Sequence, residues 1–270
     1  MKFRNSVYIS IMAAGFIMLA ACSNTKDKKD SDSADLSSVP ESVQSVVKAL
    51  KENDSEKFAK LVSYPLERPY PLKDIEDEKG MKEYYNTLVD DSLRNIISSS
   101  KAENWGEYGW RGWSIDAGNY LWIDDELYAI NYVSGHEKNL MDSLTNVEVQ
   151  SLPAALKKGW KPILTMLSDN DSTVYRIDMR TEGKESGGHH YRLAVYNGGK
   201  KLLEKPDMLL DGVMEMEGTA SNVTYIFHNK DGQEFDIMPD HPSSGKPVLT
   251  LPNDSSIELN KAYWYELIKR

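Results

Sequence analysis

The stretch FIMLAACSNTKDKKD, Phe16 to Asp30, holds Cys22, the only cysteine in 270 residues. A lone thiol makes no internal disulfide and no thiolate cluster, so the chemistry left to it is nucleophilic. The histidines are the next residues that could do chemistry. His189 and His190 are adjacent, and neighbours on a strand point to opposite faces, so one metal cannot easily take both. The preceding Glu-Ser-Gly-Gly predicts an exposed loop for them. His228 and His241 stand singly near turns and are read as surface residues. The chain lacks G-x-S-x-G, a P-loop, G-x-G-x-x-G after a strand, H-E-x-x-H, an EF-hand loop and C-x-x-C. The sequence therefore assigns no catalytic residue, no metal ligand and no cofactor.

The residues before Cys22 explain its place. Lys2 and Arg4 form a basic start, and Val7 to Ala21 is an almost uninterrupted apolar run. That run is short for a membrane span and suits the core of a signal peptide. It ends Leu19-Ala20-Ala21-Cys22, which resembles the lipobox of bacterial lipoproteins. Small residues let an extended backbone enter a peptidase cleft, and the thiolate accepts the diacylglycerol. The resemblance implies a signal peptide over 1–21 and Cys22 as the lipidated, palmitate-type N-terminus of the mature chain. Membrane lipid is then the first partner, since each buried CH₂ is worth about 0.8 kcal/mol. Ser23 rather than aspartate implies the outer membrane, with the periplasmic face and the cell surface both open. Residues 22–39 read as a disordered tether, polar and without apolar period.

Charge narrows the partners further. The chain carries 32 basic and 42 acidic residues. Without Lys2 and Arg4 the balance is 30 against 42, a net of −12. Such a chain repels phosphate backbones, so nucleic acid is excluded as an expected partner.

Beyond the tether, Val43, Val46, Val47 and Leu50 recur at helical spacing after Pro40. Asn53 and Glu56 suggest a capping box before Phe58, Leu61 and Val62. Pro65, Pro69 and Pro71 forbid helix and allow an edge strand or covering loop. A long apolar stripe from about Asp77 to Ser99 follows, with a bend expected near Asp90-Asp91. Period 2 then takes over: Tyr120 and Trp122 share one face, Leu121 and Ile123 the other, and Asp124-Asp125-Glu126 turns into a returning strand over Leu127–Val133. Residues 134–158 read as a connector with one or two short helices. Over 159–270 about eight strands are expected, the last of them in AYWYELIK, with hairpin turns at Asn197-Gly198-Gly199 and Lys230-Asp231-Gly232.

Helices followed by a meander give an α+β class. The segments ALKENDSEKFAKLVSYPLERPYPL and WGEYGWRGW…NYLWIDDELYAINYV resemble bacterial NTF2-like (cystatin-like) lipoproteins, and PDMLLDGVMEMEGTASNVTYIF is similar to their second, β-sheet domain. The resemblance implies an NTF2-like cone over 40–133, helices packed on a curved antiparallel sheet, followed by an all-β sandwich or small barrel. In such a cone Trp110, Trp113, Tyr120, Trp122, Tyr128 and Tyr132 either line a pocket for an apolar or sugar ligand or fill it as core. Large rings occlude cavities readily, and the filled core is the preferred reading. Enzymes of this fold hold a carboxylate or histidine base inside the cone. Here His136 lies past the last strand and Asp116, Asp124 and Asp125 fall at turns. The expected function is therefore noncatalytic binding of a small ligand, glycan or envelope protein. A hydrolase or isomerase using the cone, or an inhibitor of an exogenous hydrolase, is the alternative.

Overall fold

The computed structural model describes residues 36–170, 172–181, 188–198, 201–217 and 222–269. The leader, the Leu19-Ala20-Ala21-Cys22 motif and nearly all of the tether lie outside them. The described chain forms two compact units. One comprises residues 36–68 and 74–138, the other 69–73 and 139–269.

In the N-terminal unit α1 (Glu41–Lys51) buries Val43, Val46, Val47 and Leu50, the apolar stripe of the sequence. Helix α2 (Ser55–Lys60) starts one residue later than the expected box. Asn53 takes a left-handed φ of 51°, and the Asp54 carboxylate accepts the Lys57 N–H at 3.0 Å. The long stripe is two helices, α3 (Glu78–Leu88) and α4 (Asp91–Ser98). Asp90 separates them because its carboxylate accepts the Leu93 N–H, so it begins a helix instead of continuing one.

Strands β1 (Trp105–Glu107), β2 (Trp113–Ile115), β3 (Leu121–Ile123) and β4 (Leu127–Ile130) form an antiparallel meander in chain order. The helices and this sheet share one aliphatic core around Leu50, Phe58, Leu88, Leu93, Leu121 and Ile123. One ion pair is sealed inside this unit. Arg68 donates through Nε and Nη2 to the two Glu137 oxygens at 2.8 and 2.7 Å, with both side chains fully buried. The guanidinium also donates to the Ile130 and Tyr132 carbonyls, and Ser134 N–H reaches Glu137.

The 134–158 stretch is more helical than its weak periodicity suggested. It holds α5 (Gly135–Ser151), 17 residues long, and α6 (Ala154–Lys157). Eight strands follow: β5 (Lys161–Ser168), β6 (Val174–Thr181), β7 (His189–Tyr196), β8 (Met208–Glu217), β9 (Asn222–His228), β10 (Glu234–Met238), β11 (Val248–Thr250) and β12 (Ser256–Ala262). Each pairs antiparallel with the next, and β12 pairs with β5, which closes an up-and-down barrel rather than a sandwich. The class is α+β, with a closed eight-stranded barrel and a four-stranded sheet.

Alternation fills the barrel. Tyr175, Ile177 and Met179 of β6 and Tyr191, Leu193 and Val195 of β7 join an interior that includes Phe227, Ile237 and Leu259. Gly212 is required at its position, because a Cβ there would lie 2.2 Å from the Ile226 carbonyl oxygen and 2.5 Å from the Phe227 ring.

Two local expectations are corrected. The last strand is Ser256–Ala262, set by inward Leu259 and Ile257, while half of AYWYELIK forms helix α7 (Trp264–Leu267). His189 and His190 open strand β7 rather than sit in a loop, since they pair with Thr181 and Arg180 of β6.

Candidate binding loop and buried polar cluster

The aromatic residues of the N-terminal unit divide into three environments. Trp105 is buried, and its indole N–H donates to Ser100 Oγ at 3.0 Å. Trp113, Tyr120 and Tyr132 are half-buried against the aliphatic core; Tyr120 stacks on Tyr132 at 6.0 Å, and Tyr132 donates its O–H to Asp90 at 2.9 Å. Trp122 is also buried, but it lies against Gly118 and under the edge of Tyr108, 5.2 Å between ring centres. Its Nε1 has no acceptor among the described residues.

Tyr120 and Trp122 thus occupy different surroundings, contrary to the period-2 expectation. The strand begins only at Leu121, so the alternation does not extend back to Tyr120. Leu121 and Ile123 both lie in the aliphatic core as the pattern predicts. Tyr128 is half-buried and donates to the Arg111 carbonyl at 2.8 Å, and burial pushes its phenol up to about 12.

Trp110 is the exception, 65% exposed. It sits in the loop Tyr108–Gly112, which is fixed by its own backbone. Tyr108 N–H donates to the Gly112 carbonyl at 2.8 Å and Gly112 N–H to the Gly109 carbonyl at 3.0 Å. Gly109 and Gly112 have φ of 60° and 73°, values glycine adopts without strain. A Cβ on Gly112 would stand 2.3 Å from the Ile123 carbonyl oxygen, so only glycine lets the loop press on β3. The Arg111 guanidinium lies over the indole at 5.1 Å, and Tyr108 is itself exposed. The loop therefore presents a tryptophan to solvent on a preformed frame.

In the barrel unit the outward face of β6 carries Arg176, Asp178 and Arg180, alternating with inward Tyr175, Ile177 and Met179. Such a strand reads as half wet, yet Arg176 and Asp178 are fully buried. Asp178 accepts from Arg176 Nε at 2.7 Å, from Arg176 Nη2 at 3.1 Å and from Arg192 Nε at 2.8 Å. Trp264 lies over the Arg176 guanidinium at 4.2 Å, and Trp160 over that of Arg192 at 4.2 Å.

Beside this cluster Glu148 of α5 is fully buried. Its Oε1 accepts from the Tyr70 hydroxyl at 2.7 Å and from Tyr265 N–H at 3.3 Å, while Oε2 has no partner. Burial is the largest influence and raises the carboxyl to about 7, against smaller opposing effects that include Tyr70, Tyr265 N–H and Arg176. The sequence reading missed these residues. The R-x-D spacing at Arg176 and Asp178 is visible, but only the cover supplied by Trp264 and Trp160 turns a charged strand face into a sealed one.

Among the described residues no group of three or more His, Cys, Asp or Glu is placed to hold a metal, and no helix is long and apolar enough to cross a membrane. His136, His189, His190 and His228 are exposed and His241 is half-exposed. No protein-family model matches the chain, and no curated protein or solved structure is similar to it.

Proposed function

We propose that this chain is a lipid-anchored protein of the bacterial cell envelope that binds a glycan without catalysis. The anchor is Cys22, acylated after cleavage behind Ala21 and carried at the outer membrane. Its support is the basic start, the apolar run and Leu19-Ala20-Ala21-Cys22. In this reading the N-terminal unit is of the NTF2-like type, four helices preceding an antiparallel meander, with its interior used as core rather than as a reaction chamber.

The observation that carries the binding reading is the exposed Trp110 on its glycine-fixed loop. An exposed indole costs solvation unless something covers it, and a rigid loop loses little entropy when it is covered. Two exposed rings, Tyr108 and Trp110, are far smaller than the roughly 800 Å² each partner contributes to a stable protein interface. They match the apolar C–H face of one sugar ring, and the Arg111 guanidinium can donate to hydroxyls around it. A neutral glycan also suits a chain of net charge −12 better than an anionic ligand does.

Two measurements test this. Metabolic labelling with a clickable fatty acid should mark the wild type and leave Cys22→Ser unlabelled; equal labelling sinks the anchor. Titration of the full chain against a panel of neutral envelope oligosaccharides, followed by tryptophan fluorescence, should give binding that Trp110→Ala abolishes. Binding unchanged by Trp110→Ala, or no binding to any glycan, removes the loop from the function.

A further inference from the structure

Glu148 is placed where a carboxylate is hard to keep. Its side chain is fully buried, only one oxygen is partnered, and the nearby cation is committed elsewhere, Arg176 being spent on Asp178 and on the Tyr196 hydroxyl. An ionised carboxyl with a bare buried oxygen is strongly penalised, and a neutral one much less so. Its main partner comes from a distant part of the chain. Tyr70 belongs to the five-residue segment Pro69–Lys73, which counts with the barrel unit although the residues on both sides of it do not.

The Tyr70 hydroxyl is the centre of that attachment. It meets Glu148 at 2.7 Å and Thr165 of β5 at 3.1 Å, and it accepts the Trp264 N–H at 3.3 Å. The ring stacks on Tyr263 at 6.1 Å, Leu72 is buried, and Lys73 pairs with Glu266 at 2.5 Å. With a neutral acid every proton has a place: Glu148 can donate to the Tyr70 oxygen while Tyr70 donates to Thr165. With a carboxylate, Tyr70 must serve Glu148, and the unpartnered Oε2 carries buried charge.

We propose that Glu148 is a proton-operated clasp: its neutral carboxyl holds Tyr70 and the Pro69–Lys73 segment on the outer face of the barrel, and loss of the proton loosens them. The groups facing it from each side are Tyr70 on the segment, Thr165 on β5, Arg176 and Asp178 on β6, and Trp264 N–H and Tyr265 on α7. Arg176 opposes the neutral form and Asp178 favours it. Burial adds the decisive weight and moves the carboxyl from 4.5 to about 7.

The working range follows from linkage. A loosened segment exposes Glu148 to water, where it ionises near its ordinary value. Loosening is then rare below pH 4.5, grows as pH rises toward about 7, and is constant above that. Between pH 5 and pH 7.5 the opening equilibrium should grow on the order of ten- to a hundredfold.

Hydrogen–deuterium exchange of the full chain, corrected for intrinsic rates, reads this at the Leu72 amide, which donates to the Pro69 carbonyl. The expected result is that rise in wild type and a flat profile in Glu148→Gln, which mimics the neutral acid. Tyr70→Phe keeps the ring and removes the hydroxyl, so exchange should be fast at both pH values. A wild-type profile that is flat across the range, or a rise that persists in Glu148→Gln, overturns the proposal. If Glu148→Gln does not fold, a wild-type pH rise that Tyr70→Phe leaves intact overturns it equally.

Discussion

Helix α5 buries two glutamates eleven residues apart, and they meet opposite fates. Glu137 faces a guanidinium in fork geometry, both oxygens are partnered, and Arg68 has further acceptors in Ile130 and Tyr132. Glu148 is equally buried but faces a phenol and one backbone N–H, with an oxygen left over. Burial alone does not fix the charge of an acid. The first site gives each oxygen a charge-assisted donor from one guanidinium, whereas the second leaves one oxygen bare and favours a proton. The same side chain closes a guanidinium fork in one unit and makes a titratable contact in the other.

The sharpest way to break this contrast is Arg68→Ala, which strands Glu137 in the core. The expected loss is about 3–5 kcal/mol in denaturant unfolding of the full chain. Replacing both partners, Arg68→Met with Glu137→Leu, should recover much of it, because no buried charge is left unpaired. A double variant as unstable as the single one would mean that the packing of Arg68 and its bonds to the Ile130 and Tyr132 carbonyls, not the stranded charge of Glu137, are what matter.

Next in size is the pH dependence from Glu148. Its folded value is raised, so its stabilising contribution is complete below pH 4.5 and declines as pH climbs to about 7. The shift corresponds to about 3 kcal/mol over that window. Glu148→Gln should flatten this part of the stability profile measured by urea unfolding, while Trp110→Ala, at an exposed ring, should leave its shape unchanged.

A smaller effect is expected at Ser134, whose Oγ accepts the Glu137 N–H at 3.0 Å and donates to the Thr87 carbonyl. Ser134→Ala removes that cap and should cost about 1 kcal/mol, read as a lowered Tm. Smallest of all, Trp110→Ala should change stability by less than about 0.5 kcal/mol, since the ring is 65% exposed. A larger loss would mean that the ring supports its loop rather than waits for a ligand.

Much of the architecture was legible because it rests on local period. The α1 stripe, the β3–β4 turn at Asp124–Glu126 and seven of the eight barrel strands follow from apolar spacing and turn residues. Errors arose where a single residue ended an element. Asn53 moved a cap by one residue, and Tyr120 fell just outside its strand, whereas the helix break at Asp90 came where a bend was expected. Trp110 was visible as one aromatic among many, but nothing in its spacing separated it from Trp113, which is half-buried.

By itself the sequence determined the alternation that fills the barrel, the helical stripes of the N-terminal unit and the placement of a lone cysteine behind a small-residue motif. Each depends only on neighbours a few positions away. Barrel closure depends instead on β12 meeting β5, strands about ninety residues apart. The burial of Arg176 and Asp178 depends on Trp264, and the state of Glu148 depends on Tyr70, 78 positions before it. Charge and burial at such sites are set by what the folded chain brings alongside, because desolvation and hydrogen bonding act over ångströms in space and not over positions in sequence.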